Sequence, residues 1–337
     1  MMKLFKGWSD MTHRMKQKPI KEGYKFFALC DAKTGFCYVT FPDGLKDKSG
    51  ATWEQVVNLV RFLPDRKNKK YVAVMDNYFT QSQTIKEVAK RGVATVGTTR
   101  TNVLPKEICP GYKGKEKEAQ LQDKRFNTLY VQDHPDGFQC FRWLDNNIVK
   151  MVSNIHYGHK NENVMKSRKR PRANQFNRKT RKAIWKDDKA IADVEIPGIV
   201  NDYNYWMLGC DLCDQLIAYY RAKVRCRRTW MPIMFHCLDV LRVNGYILYE
   251  QTSLNHPDID DKKILDHKTF TKELINSLTA RAHQAKQTER ETRRNNGEAI
   301  DDYEPFVPCL KLSNTNPKLN IYDEWRSEEH TSELQSH

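Results

Sequence analysis

Residues 23–44 read "GYKFFALCDAKTGFCYVTFPDG". Tyr24–Cys30 and Phe36–Phe41 are rich in aromatic and β-branched side chains, and the "DAKTG" between them is turn chemistry, so the stretch predicts a β-hairpin. Downstream, "TWEQVVNLVRFL" carries a 3.6-residue apolar period and predicts a helix starting near Thr52. "KYVAVMDN" is a short apolar run ending in Asp76, which predicts a buried strand. "TQSQTIKEVAKRG" predicts a helix from Thr80 to Gly92, the glycine suiting its C-cap, and "VATVGTTR" a further strand. Hairpin, helix, strand, helix, strand make an α/β layer architecture.

The middle of the chain changes character. "LYVQDHPDGFQCFRWLDNNIVKMVSNIHYG" alternates strand patterns with Asp-Gly and Asn-Asn turns, a small β-meander. From Lys166 to Lys182, "KSRKRPRANQFNRKTRK" holds nine Lys/Arg and no acid. It has no apolar period before about Ala183 and is expected to be a loop or disordered arm. From Tyr203 the pattern turns helical: "DYNYWMLGCDLCDQLIAYYRAKV" predicts one helix, "MPIMFHCLDVLRVNGYILYEQT" a buried one, and "TKELINSLTARAHQAKQ" a more exposed third. Beyond Glu289 the chain is polar and is expected to be poorly ordered. The final "RSEEHTSELQSH", residues 326–337, looks like a translated sequencing adapter and is expected to be a non-native scar.

The 337 residues suffice for one large domain or two ordinary ones. Charged residues at 29% against 39% apolar predict a soluble protein, and no apolar run approaches the ~18 residues of a membrane helix. The N-terminus lacks a signal-peptide hydrophobic stretch, which points to the cytosol or nucleus. Nine cysteines without a secretion signal are expected as reduced thiols, mostly small buried hydrophobes. The net charge of +15 is clustered, in the Lys166–Lys182 arm and again in "RAKVRCRRTW", and clustered basic charge favours a nucleic-acid partner.

In "LGCDLCDQL", residues 208–216, two cysteines and two aspartates interleave. A zinc site at Cys210 and Cys213 wants two more ligands. The nearest thiols in sequence are Cys226 and Cys237, and His156 and His159 lie some fifty residues upstream, so packing is the expected role and no zinc is expected. The motif sits inside a predicted helix, which disfavours a redox dithiol. "GVATVGTT" has Thr98 where a phosphate loop needs lysine, and neither G-x-S-x-G nor H-E-x-x-H occurs.

The carboxylates read differently. Asp211 and Asp214, three apart on one helical face, have Cβ atoms ~5–6 Å apart and repel by about 3 kcal/mol at an effective dielectric near 20. A divalent cation relieves that conflict. Asp31 ends one strand and Asp76 another; alone, each is as well read as an Asx turn or a polar residue ahead of a helix. Together, strand-end and helical carboxylates can hold two cations ~3.5–4 Å apart, the arrangement that activates a nucleophile and steadies a leaving oxygen.

At these residues the chain resembles piggyBac-type transposases, a branch of the DDE/D enzymes. The likeness runs from "FKGWSDMTHRMKQKPIKEGYKFFALCD" through "VMDNYFTQ" and "WLDNNIVKMVSNIHYG" to "YNYWMLGCDLCDQLIAYYRAKVRCRRTW" and "VNGYILYE", roughly residues 1 to 250. It implies a ribonuclease-H-like mixed sheet flanked by helices and interrupted by a β-rich insertion domain. Catalytic, metal-holding aspartates are implied at Asp31, Asp76 and Asp211, with Asp214 as an additional acid beside Mg²⁺ or Mn²⁺. Cys210 stands where the family has valine. The implied reaction is DNA strand cleavage and transfer through hairpin ends, joining TTAA target DNA, in a nuclear and dimeric full-length protein.

The implied organisation is a first core part at 1–100, an insertion with basic arm at 101–200, a helical core remainder at 201–288, a tail at 289–325 and the scar. DNA contacts are expected from Lys166, Arg168, Lys169, Arg170, Arg172, Arg178, Lys179, Arg181, Lys182, Arg225, Arg227 and Arg228. Trp230 matches a family tryptophan near the active site, where it would stack on a base or simply be buried. Without the family's N-terminal region and C-terminal zinc domain, the chain is expected to be a fragment of a longer reading frame. The competing reading is a domesticated or decayed DNA-binding protein that kept the fold and lost catalysis; a third, a structural zinc protein, holds only if Cys210 and Cys213 find partners.

Overall fold

The computed structural model describes residues 1–296 except 17, 45–50, 109–125, 146, 159–162, 174–176, 187–188, 223, 225–227 and 257–263. The suspected scar and all but the start of the expected tail therefore lie outside the described residues. Two compact units are present: Met1–Lys3, Trp8–His13 and Tyr24–Cys213 form the first, and Leu4–Gly7, Arg14–Gly23 and Asp214–His337 the second.

The expected hairpin forms as β3 (Glu22–Cys30) and β4 (Cys37–Pro42), antiparallel, with Phe27 opposite Phe41 and Cys30 opposite Cys37. Short strands β1 (Met2–Leu4) and β2 (Thr12–Arg14) complete a sheet ordered β1-β3-β2, with β4 also on β3. Helix α1 (Thr52–Val60) begins where the periodicity places it. Strand β5 (Tyr71–Met75), helix α2 (Ser82–Ala89) and strand β6 (Val93–Thr98) follow as a βαβ unit with parallel strands. Gly92 adopts a left-handed φ of 73° just past α2, a backbone state open to glycine and costly for other residues.

The meander is β7 (Thr128–His134), β8 (Phe138–Leu144) and β9 (Ile148–Ser153). Its last strand pairs β6 through Val96–Thr98 and Met151–Ser153, so one five-stranded sheet runs β5-β6-β9-β8-β7. The expected insertion residues thus continue the sheet begun by β5 and β6. β3 and β5 lie in different sheets among the described residues, whereas one mixed sheet was expected.

Period-2 alternation gives the large sheet two cores. On one face Val56 and Val60 of α1 and Val88 of α2 pack on Ala73, Met75 and Val93, and further along the sheet Phe138, Cys140 and Val152 pack with Ile85. On the other, Phe141, Trp143 and Met151 join Val96, Trp185, Val194, Ile196 and Ile199.

Several expectations require correction. The basic stretch is not a structureless arm: β10 (Asn163–Lys169) pairs antiparallel with β11 (Ile191–Pro197), and α3 spans Arg178–Ile184. The apolar residues that dock this ribbon, Val194 and Ile196, lie on the partner strand, and the basic strand inherits their ladder. The single helix expected over 202–224 is two, α4 (Gly198–Trp206) and α5 (Gly209–Tyr220), interrupted at Met207 and Leu208.

In the second unit, α6 (Met231–Leu254) buries Val240, Val243 and Ile247 but exposes Leu238, Leu241 and Leu248, so it is not buried all round. α7 (His267–Asn295) continues beyond Glu289. Asp266 accepts from Thr269 N at its start, and Glu289 pairs with Arg293 one turn on. Tyr246 and Tyr249 of α6 meet His267 and Phe270 of α7. No helix among the described residues is long and apolar enough to cross a membrane.

Candidate active site and its thiol neighbour

Asp31 follows the last residue of β3, Asp76 the last of β5, and Asp211 sits in the first turn of α5, where the positive end of the helix dipole favours a carboxylate. The modest local readings hold for part of each strand-end acid. Asp31 Oδ2 accepts from Lys33 N, Thr34 N and Thr34 Oγ1 at 3.0, 2.8 and 2.8 Å. Asp76 Oδ1 accepts from Tyr78 N at 3.0 Å and Phe79 N at 3.2 Å. These bonds fix both carboxylates to their turns.

Chain packing then draws the segments together. A Cβ on Gly209 would lie 2.7 Å from Asp31 O and 2.9 Å from Ala32 Cα, so the start of α5 rests directly on the turn that carries Asp31. Gly35, at φ +76° in that turn, would meet Leu212 Cγ at 3.0 Å and Cys213 N at 3.1 Å. The β5 end is tied to β3 by the Phe27 and Phe79 rings, 5.8 Å apart, and by Lys25 over the Tyr78 ring.

A phenol reports the third convergence. Tyr203 of α4 pairs with Thr98 Oγ1, at the end of β6, at 3.3 Å. Burial pushes its phenol upward, the Thr98 hydrogen bond opposes that, and the charges of Asp76 and Asp211 add to the rise. Two acids 135 positions apart in sequence thus act on one hydroxyl, while Asp31 contributes to a similar rise at Tyr38, behind burial. Sequence reasoning missed Tyr203; the aromatic run "YNYW" gave no hint of which ring turned inward.

Carboxylates are the donors a hard divalent cation takes, so the set fits Mg²⁺ or Mn²⁺ by kind. Among the described residues, the only cluster of three or more His, Cys, Asp or Glu ligand atoms within 4.8 Å of one another is Cys30, Cys37 and Cys213. Asp214, half-buried on the next turn of α5, falls across the boundary into the second unit.

The expectation that the C-x-x-C has no suitable thiol partners is therefore corrected: Cys213 lies beside Cys30 and Cys37, while Cys226 falls outside the described residues. Hydrogen bonds with Cys210, Cys213 and Cys37, then burial, push the Cys30 thiol above its ordinary range, while those from Cys213 and Cys30 draw Cys37 below it. The signal was present as two cysteines flanking a hairpin turn plus a C-x-x-C, but some 170 residues apart.

The basic residues divide. Lys166, Lys169, Arg172, Arg178, Lys179, Lys182 and Arg228 are exposed, Arg170 and Arg181 half-buried. Arg168 is committed inside the fold, forked onto Asp145 at 3.1 and 2.7 Å and lying over the Trp143 ring. Arg225 and Arg227 lie outside the described residues. Trp230 is 51% exposed at the N-cap of α6, which removes the buried reading.

Ser153 Oγ, His156 and Asp202 line up in the order of a hydrolase triad, at 2.9 Å and 3.0 Å. Yet the hydroxyl is fully buried and accepts from Ile155 N and His156 N. It caps a turn and cannot reach a substrate.

Against known proteins, residues 1–246 match the family described as Transposase IS4. The chain belongs to the piggyBac-type transposase family. Its relatives include human PiggyBac transposable element-derived protein 3, 22% identical over 77% of this chain and 40% of that protein. Human PiggyBac transposable element-derived protein 2 is 25% identical over 72% of this chain and 38% of that protein. The chain spans about two fifths of the length of these curated relatives. The fold resembles the piggyBac transposase in a cryo-EM synaptic complex with hairpin DNA, with a TM-score of 0.61 and 17% identity over 90% of this chain and 57% of that one. This piggyBac-type chain is a mixed α/β protein.

Proposed function

We propose that this chain is the catalytic part of a DNA transposase, cleaving and rejoining DNA strands with Asp31, Asp76 and Asp211 as its divalent-cation ligands and Asp214 as a further acid beside them. The observation that carries this is the convergence of segments: Asp31 abuts the first residue of α5, and the turn that carries Asp76 packs on β3 through Phe79 against Phe27 and Tyr78 under Lys25. Mg²⁺ or Mn²⁺ held there would supply Lewis acidity to the attacked phosphate and a lowered water pKa.

The chain's own residues do the holding and aiming. Asp31 and Asp76 are fixed on their turns by backbone N–H donors, leaving Oδ1 and Oδ2 respectively to face a cation. Tyr203 stays protonated and can donate to an oxygen near Asp76 and Asp211. The exposed lysines and arginines of β10 and α3, with Arg225, Arg227 and Arg228, bind DNA phosphates, and Trp230 offers a face to an unpaired base.

Hairpin ends, TTAA joining, a homodimer of the full-length protein and a nuclear location complete the proposal. So does the ribonuclease-H-like reading of the core, divided into 1–100 and 201–288 by an insertion at 101–200 that carries the basic ribbon.

The test is cation-dependent nicking of a transposon-end duplex by the chain, compared with Asp31→Asn, Asp76→Asn and Asp211→Asn. Each substitution should reduce nicking by ~10³-fold or more, as loss of a metal-held transition-state charge implies. Nicking in all three variants undiminished from that of the unsubstituted chain would remove these acids from the chemistry. A second reading is DNA binding without catalysis, favoured by the absence of a tight carboxylate cluster among the described residues. It would be seen as tight, salt-dependent binding with no nicking in either Mg²⁺ or Mn²⁺.

A further inference from the structure

We propose that Cys30, Cys37, Cys210 and Cys213 form a structural zinc site that clamps the β3–β4 hairpin to the first turn of α5. Three of the four sulfurs, those of Cys30, Cys37 and Cys213, already lie within 4.8 Å of one another. The fourth, Cys210, lies one turn before Cys213 on α5 and reaches Ala28 O, two residues before Cys30, at 3.7 Å. No disulfide joins any of them, and Cys37 and Cys213 are buried while Cys210 faces outward.

The architecture is suited to the ion. Zinc sites use two ligand pairs on short, stiff elements, with Zn–S of ~2.3 Å, which in a tetrahedron puts the sulfurs ~3.8 Å apart. One pair here is Cys30 and Cys37, Cα partners across the hairpin ladder. The other is Cys210 and Cys213, three apart on one helix face. Closing the Cys30, Cys37 and Cys213 sulfurs onto a cation needs movements on the order of 1 Å, within the reach of side-chain rotation, and Cys210 would turn in from the same helix face. Four soft thiolates select zinc over the hard cations that carboxylates prefer.

Loading converts four thiols and one Zn²⁺ into a tetrathiolate centre and releases up to four protons to solvent, with no change of oxidation state. Two acids sit on this clamp: Asp31 directly follows Cys30, and Asp211 lies between Cys210 and Cys213. Resting on the catalytic reading above, the four cysteines would be positioning residues that hold those two backbones in register. The zinc site itself does not depend on that reading.

The experiment is metal analysis of the full chain, purified with reductant and without a metal column, followed by cobalt substitution. We expect about one zinc per chain, and on replacement with Co²⁺ a sulfur-to-metal charge-transfer band with intense visible d–d bands of a tetrahedral thiolate site. Cys30→Ser and Cys213→Ser should lose both, while Cys237→Ser, at an exposed site in the second unit, should keep both. The cobalt spectrum of the unsubstituted chain stands even if a serine variant fails to fold.

Less than a tenth of an equivalent of zinc together with a featureless cobalt spectrum would overturn the proposal. So would a Cys30–Cys37 or Cys210–Cys213 disulfide in the mass spectrum, or bound iron with sulfide in place of zinc. None of these readings uses DNA, so failure of the strand-cleavage proposal and failure of the zinc site are separately visible.

Discussion

The main-chain oxygen of Asp31 stands 2.7 Å from the position a Cβ on Gly209 would take. Nothing larger than hydrogen fits between the strand-end acid and the helix that carries the next one. Gly209→Ala should therefore cost about 1–3 kcal/mol by overpacking, measured by urea unfolding. Gly44→Ala, with nothing within 4 Å of its added carbon, is the matched control and should change little.

Cation binding by the acids should be readable without any DNA. A cation held by Asp76 and Asp211 would offset their charges at Tyr203 and favour its phenolate. Magnesium should lower the Tyr203 pKa in a titration followed by NMR of Cζ-labelled tyrosine. In Asp76→Asn and Asp211→Asn variants the phenol should start lower and respond less.

Arg168 and Lys166 lie in one strand but should behave as different kinds of residue. Arg168→Ala removes a forked pair with Asp145 and a cation–π contact with Trp143, and should lower stability by about 1–2 kcal/mol. It should hardly alter the salt dependence of DNA affinity. Lys166→Ala and Lys169→Ala should leave stability alone, and each should reduce the slope of log affinity against log salt by about 0.9.

His267 supplies a pH dependence to the second unit. Burial, then the Arg242 charge, lowers it to about 4, and Arg242 Nη1 donates to its Nε2 at 2.6 Å, which requires the neutral ring. A histidine depressed in the fold binds its proton more readily when unfolded. Its stabilising contribution is thus full above the ordinary value near pH 6.5 and fades as pH falls toward 4. Thermal unfolding of α6 and α7 should move to lower temperature across that window, and His267→Asn should flatten the trend.

Where apolar periodicity and turn chemistry acted locally, sequence was enough. The β3–β4 hairpin, α1, the β5-α2-β6 unit and the three meander strands stand within a few residues of their expected positions. Failures came where a partner far along the chain decided the outcome. β10 carries little apolar pattern of its own, and its order comes from β11 and from Asp145. The break at Met207 and Leu208 precedes the glycine that must meet Asp31, a contact 178 positions distant that no helical period records. The acids were legible as types at strand ends, whereas Tyr203 and the thiol cluster arise only from tertiary packing.

The ladder between β10 and β11 also limits how its charge can be spent on a partner. Along a strand, neighbouring side chains point to opposite sides, so Lys166 and Arg168 share one side and Lys169 takes the other. With Arg168 already neutralised by Asp145, a duplex lying against either side meets a single free cation from this trio. The stretch that reads as the most basic in the chain is, as an electrostatic surface, divided against itself, and any grip on a polyanion must be shared with the exposed cations of α3.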